Sequence, residues 1–193
     1  MPPSEVWLVR HGETQWSASG RHTGKTDVPL TDSGRAAAQA LAARLAPVRF
    51  GRVLTSPLQR ARVTCDLAGL HAGADVVDDL REWDYGEYEG RTTAEIRAAL
   101  PDWTVWADGC PGGETAADVG ARADRVITLL RDTDGAVAVF GHGHMLRVLA
   151  ARWVGLPPEC GALLALDTAG LSVLGWEREQ AVVRRWNERV QAT

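Results

Sequence analysis

Short apolar runs alternate along the chain with segments whose apolar positions recur every three or four residues. That order is expected of buried strands joined by packed helices. The pattern predicts strands at Val6–Val9, Val53–Thr55 and Ala136–Phe140. The last is apolar at every position, which suits a strand covered on both faces. Leu30-Thr31-Asp32-Ser33-Gly34 opens a helix that places Ala37, Leu41 and Leu45 on one face and that Pro47 ends. Ser56-Pro57 reads as an N-cap with proline in the first turn, and the helix should continue to Leu70. Thr115 and Asp118 have capping-box spacing, with Val119, Ala123, Val126, Ile127 and Leu130 as one apolar stripe behind them. Another helix follows Gly141-His142-Gly143-His144, and later strands are expected at Ala162–Leu166, Leu171–Trp176 and Val182–Trp186. Asp79 to Gly113 is the longest stretch without a regular pattern. Strand-then-helix order gives an α/β fold with parallel strands, and 193 residues without a repeat or linker suit one domain.

Three of these strands end in reactive side chains. Val6-Trp7-Leu8-Val9 runs into Arg10-His11-Gly12, Val53–Thr55 leads to Arg60, and Ala136–Phe140 leads to His142. Parallel strands bring those ends together at the edge where open α/β sheets keep their sites. Several cations in one pocket make no sense as a core, because burying them without counter-charge costs several kcal/mol per ion. The missing partner is an anion. A phosphate group fits: its oxygens accept bidentate arginine bonds, and the Gly143 amide at a helix start adds a donor.

Composition narrows the partners. A formal charge of −4 without acidic or basic blocks argues against nucleic acid or a membrane surface, so anion binding must be local. Of 21 basic residues only Lys25 is a lysine, which weakens any argument from counting arginines. Cys65, Cys110 and Cys160 lack C-x-x-C spacing and read as reduced thiols of a cytoplasmic protein. No signal peptide or membrane span is read at the N-terminus.

The residues resemble the histidine phosphatase superfamily, also called phosphoglycerate mutase-like, over nearly the whole chain. Arg10-His11-Gly12-Glu13-Thr14 is its signature. Gly20-Arg21-His22-Thr23-Gly24 with Pro29-Leu30-Thr31 is similar to its phosphate-contacting turn, and Ser56-Pro57-Leu58-Gln59-Arg60-Ala61 to its second arginine motif. Leu80-Arg81-Glu82-Trp83-Asp84-Tyr85-Gly86 matches its acid motif, Gly113-Glu114-Thr115 its helix start and His142-Gly143 its second histidine. The resemblance implies a three-layer α/β/α fold with a mostly parallel central sheet flanked by helices. It implies that His11 attacks phosphorus, that Arg10, Arg60 and His142 hold the equatorial oxygens, and that Glu82 donates the proton. Ser17, Thr23, Gly24, Gly143, Tyr85 and His144 are the expected phosphate- and substrate-binding residues, with residues 79–113 forming a lid-like substrate region. Ser17 is a departure, standing where many members carry asparagine.

The implied activity is cofactor-independent and metal-independent hydrolysis of a small phosphorylated metabolite, such as a sugar phosphate or bisphosphate. Inorganic phosphate and vanadate are the expected inhibitors, and the oligomeric state, a homodimer included, stays open. The combination of motifs looks most like a branch of acid phosphatases and sugar-bisphosphatase-like enzymes. A phosphoglycerate mutase is the first alternative, disfavoured by the lack of a long insertion before the Gly-Glu helix and of a long C-terminal tail. A non-catalytic phospho-ligand binding module is the second, disfavoured because binding alone needs neither nucleophile nor acid. His142 and His144 as a metal pair lack carboxylates at ligand spacing. His144 is read instead as a cap or pocket residue, and Arg147 as either a packing residue or a contact for a second anionic group. Asp84, Glu87 and Glu89 are read as surface carboxylates. Trp83, Trp103 and Trp106 suit either a satellite core or a lid.

Overall fold

The structure, a computed structural model, describes residues 3–70 and 72–190. Six strands form one mixed sheet: β1 (Glu5–Arg10), β2 (Phe50–Thr55), β3 (Asp75–Val76), β4 (Ala136–Gly141), β5 (Leu171–Glu177) and β6 (Gln180–Glu188). Their order is β3-β2-β4-β1-β5-β6. The first four run parallel, β5 is antiparallel to β1, and β6 is antiparallel to β5.

Eight helices connect them among the described residues: α1 (Gln15–Ala18), α2 (Asp32–Ala40), α3 (Ala42–Leu45), α4 (Gln59–Leu67), α5 (Thr93–Arg97), α6 (Val105–Asp108), α7 (Ala116–Arg131) and α8 (Gly143–Trp153). Side-chain alternation on the strands divides the core between the two faces of the sheet. Val6, Leu8, Val137 and Val139 belong to a large cluster with Val119, Ala123 and Val126 of α7 and Met145, Val148 and Leu149 of α8. Trp7, Val9, Ala138 and Phe140 belong to a second cluster with Leu41, Leu45 and Cys65 on the opposite side. The result is the expected three-layer α/β/α arrangement.

Several boundaries differ from the sequence reading. No strand forms at Ala162–Leu166: Pro157-Pro158 starts a 3-10 turn over Pro158–Leu163, because proline fixes φ and offers no N–H to a ladder. Ser56 does not cap α4. Its hydroxyl accepts the Leu58 amide at 3.3 Å, and the helix begins at Gln59, two residues after Pro57, with Leu58 as its cap. The same helix stops at Leu67 because Gly69 takes a left-handed turn (φ +82°) and the Leu70 amide returns to the Cys65 carbonyl. β3 was not anticipated, being two exposed residues with no apolar pattern. Trp83 and Trp103 are buried within the large cluster, and half-buried Trp106 packs against it, so these rings are continuous with the main core. No helix of the described residues is long and apolar enough to cross a membrane.

Candidate active site

Register within the sheet brings the reactive ends together. Arg10 pairs with Gly141 across β1 and β4, and Thr55 pairs with Phe140 across β2 and β4, so His11, the Ser56–Arg60 segment and His142 leave one edge at the same level. The His11 amide donates to the Gly141 carbonyl, and the two imidazoles lie 5.2 Å apart by ring centroid.

His11 is 4% exposed, with Nδ1 2.7 Å from the Gly12 carbonyl oxygen. A carbonyl only accepts, so Nδ1 carries the hydrogen. Burial first, then the charges of Arg10 and Arg60, hold the imidazole pKa well below the ordinary 6.5. The ring is therefore neutral at pH 7 and keeps a lone pair on Nε2. The backbone just after His11 packs tightly against α2. A Cβ on Gly12 would overlap the Gly34 carbonyl oxygen at the start of α2, and the Gly12 amide is tied to Thr64 Oγ1 at 3.0 Å.

The two arginines differ in their surroundings. Arg10 donates Nη1–H to the Leu166 carbonyl at 2.5 Å, while its Nε is buried without a hydrogen-bond partner. An unpaired buried donor beside a nucleophile is what an anion would satisfy. Arg60 is fully buried and heavily bonded: Nε to Nδ1 of His142 at 3.2 Å, Nη1 to the Thr26 carbonyl, and Nη2 to the carbonyls of Thr23 and Gly24. His142 places its other nitrogen 2.7 Å from Ser56 Oγ. Burial, followed by Arg60, His11 and Arg10, pushes the His142 pKa well below the ordinary 6.5.

Glu82, 9% exposed, acts as the cap of α8. His142 occupies the N-cap position without a side-chain cap bond. Instead, Glu82 Oε2 accepts the His144 amide at 3.1 Å, and Oε1 accepts the amides of Met145 and Trp83 at 2.9 Å each. A carboxylate at a helix N-terminus also complements the helix dipole.

These groups surround a cavity of about 180 Å³ lined by Arg10, His11, Glu82 and Gly143 at one end and by His22, Tyr85, His144 and Arg147 beyond. Ser17 and Thr23 also line it. Arg60 and His142 do not, both being fully buried with protein partners. Gly24 also stands elsewhere, on a second cavity, with its amide given to Glu89. Ser17 Oγ is engaged in the cap of α1, accepting the Thr14 amide and donating to the Thr14 carbonyl. Glu89 corrects the reading of it as a surface carboxylate: half-buried, it holds the amides of Gly24 and Thr26 and so fixes the turn that Arg60 grips.

The rings of the distal wall, beside Arg147, are neutral. Tyr85 hydroxyl and His144 Nδ1 are 2.7 Å apart, and His22 stacks on Tyr85 at 4.7 Å. Burial pushes the Tyr85 pKa well above its ordinary value and holds those of His144 and His22 below theirs. Leu166, whose carbonyl anchors Arg10, lies in irregular chain, and a backbone carbonyl gives no sequence signal. Burial raises the thiols of Cys65 and Cys110 to about 12, so both are inert.

The chain as a whole is similar to known proteins. The chain is 44% identical over 174 residues to an acid phosphatase of Mycobacterium tuberculosis, covering 88% of this chain and 85% of that protein. It is 38% identical over 182 residues to the sedoheptulose 1,7-bisphosphatase of Saccharomyces cerevisiae, covering 77% and 67%. A solved Mycobacterium tuberculosis structure superposes with a TM-score of 0.91 at 40% identity over 97% of this chain and 98% of that one. The profile of the histidine phosphatase superfamily (branch 1) matches residues 6–189, and the chain belongs to that family.

Proposed function

We propose that this protein hydrolyses phosphomonoesters of small metabolites through a phosphohistidine at His11. The observation that carries the reading is the His11 ring itself: neutral, with its proton fixed on Nδ1 by the Gly12 carbonyl and the Nε2 lone pair left to attack. In the first step Nε2 bonds to phosphorus, the ester P–O bond breaks, and Glu82 delivers a proton to the leaving alkoxide. In the second, water attacks the phosphohistidine while Glu82 takes its proton, releasing phosphate and restoring His11.

Arg10 meets the phosphoryl oxygens directly, its unpaired Nε finding an acceptor there. Arg60 and His142 contribute from one layer further in, and contact with phosphate requires them to exchange present bonds to Thr23, Gly24 and Ser56. Positive charge at the transferring group thus comes from side chains. Activity is expected to survive exhaustive EDTA treatment, and phosphate and vanadate are expected to compete for the site.

The test is chemical quench with a radiolabelled phosphoryl donor. Acid-labile label appears on His11 of the wild type and is absent from His11→Ala, which removes the nucleophile without opening a core cavity. Full labelling of the variant at another histidine would overturn the assignment.

A further inference from the structure

Glu82 lies in chain with no regular structure, between the 3-10 turns Asp78–Leu80 and Gly86–Tyr88. No strand or helix ladder of its own keeps that carboxylate in place. One partly buried ion pair braces the segment from outside. Arg122 of α7 donates Nη1–H to the carbonyls of Asp79 and Arg81 at 2.7 and 2.9 Å, and Nη2 approaches the Glu82 carbonyl at 3.5 Å. The same guanidinium grips Glu114 through Nε and Nη2 at 2.7 and 2.8 Å. Glu114 in turn accepts the Asp84 amide on Oε2 at 2.9 Å, and its backbone carbonyl accepts the Trp83 indole N–H.

We infer that the Glu114–Arg122 pair is a positioning clamp that sets where the Glu82 carboxylate stands relative to His11. The inference rests on the reading of Glu82 as proton donor. Arg122 holds carbonyls on the N-terminal side of Glu82 and Glu114 holds the amide two residues beyond it, so the segment is fixed on both sides. The α8 amides then fix the carboxylate end.

Only a planar fork with several donors can serve two carbonyls and a carboxylate at once, which makes lysine a poor substitute. Arg125, one turn further along α7, pairs with Asp79, but its side chain is 58% exposed and the pair is correspondingly screened. Glu82, Glu114 and Arg122 also line the second cavity, of about 380 Å³, together with Lys25, Leu58, Arg81 and Asp84. That space is available to the segment once the clamp is loosened. The carboxylate then shifts while the core beneath stays packed, and a misplacement of about 1 Å is enough to cost about 100-fold in rate.

The experiment compares His11 phosphorylation rates from glycerol phosphate, whose alkoxide needs a proton, and from p-nitrophenyl phosphate, whose leaving group barely does. Glu82→Gln is measured first. If it slows both substrates equally, Glu82 is not the donor and the clamp cannot act through one. With the donor role upheld, Arg122→Lys and the isosteric Glu114→Gln are each expected to slow glycerol phosphate by about 10- to 100-fold and p-nitrophenyl phosphate by less than about 3-fold. Combined with Glu82→Gln, they are expected to add no further loss on glycerol phosphate. Equal slowing of both substrates, or full additivity with Glu82→Gln, would overturn the proposal and leave the pair a purely structural one. Glu114→Gln preserves side-chain shape and decides the matter should Arg122→Lys fail to fold.

Discussion

Arg60 donates its Nε–H to Nδ1 of His142 across 3.2 Å. Because arginine only donates, that nitrogen accepts and the histidine's proton is on Nε2, directed at Ser56 Oγ. His11, with Nδ1 against a carbonyl, has the opposite tautomer. Two neutral imidazoles 5.2 Å apart thus carry their protons on different nitrogens, one freed for attack and the other committed to support.

Nitrogen-15 spectra of labelled protein at pH 7 are expected to show an unprotonated Nε2 on His11 and an unprotonated Nδ1 on His142. Ser56→Ala removes the acceptor of the His142 proton at a fully buried site. The expected cost is about 1–3 kcal/mol, read as a lowered melting temperature. Identical tautomers on the two rings would contradict the bonding described here.

The buried histidines also give stability a pH dependence of definite sign. Burial, aided by neighbouring arginines, holds His11, His142 and His144 well below the ordinary 6.5 in the folded state. Between those depressed values and 6.5 the unfolded chain binds more protons than the folded one, so stability is full above 6.5 and declines as pH falls towards the folded values. Urea melts from pH 7.5 to pH 5 should show this decline, and His144→Gln should flatten it. A variant with an unchanged slope would remove His144 from the account.

Much of this is legible in the sequence. Every position of Ala136–Phe140 is apolar because β4 is central and covered on both faces, so the pattern located the strand and, with it, His142. Glu82 was less legible from chemistry alone, since Asp84, Glu87 and Glu89 are near it and no periodicity separates them. Only tertiary contact does: Glu82 reaches the α8 amides, Glu89 the Gly24–Thr26 turn and Asp84 the ammonium of Lys25. Leu166 was beyond reach because its contribution is a backbone carbonyl, which every residue has. Nor does Arg60 in sequence reveal that it grips the turn from Thr23 to Thr26, 34 or more residues away.

Gly12 is under steric constraint from a different helix. A methyl group there would overlap the Gly34 carbonyl oxygen, a backbone atom that cannot rotate aside. Gly12→Ala is expected to destabilise by about 1–3 kcal/mol, lowering the melting temperature by several degrees, and to cut turnover because His11 is displaced with its neighbour. Normal melting and normal turnover together would show that the strand end and α2 can separate freely.

Arg147 bears on which phosphomonoester is used. Its guanidinium stacks 4.6 Å over the Trp106 ring and donates to the carbonyls of Gly161 and Ala162, and it lines the cavity beyond Tyr85 and His144. The rings of Tyr85 and His144 beside it are neutral at pH 7, and Arg21, the other arginine lining that part of the cavity, is exposed and already paired with Glu95, so Arg147 is the less screened charge offered to the non-reacting end of a substrate. A second phosphate or a carboxylate on that end gains a charge-assisted hydrogen bond, about 1.5–3 kcal/mol, which p-nitrophenyl phosphate cannot make. Arg147→Met keeps an unbranched stem against Trp106 and removes the charge. It should raise KM for a sugar bisphosphate by about 10- to 100-fold, with kcat little changed because the lost contact binds ground and transition states alike. For p-nitrophenyl phosphate KM should stay within about 2-fold, since that substrate has no group to lose. Steady-state kinetics on both substrates provide the check: an equal rise in KM would mark Arg147 as a packing residue, and a fall in kcat on both would place its effect on the reacting end instead.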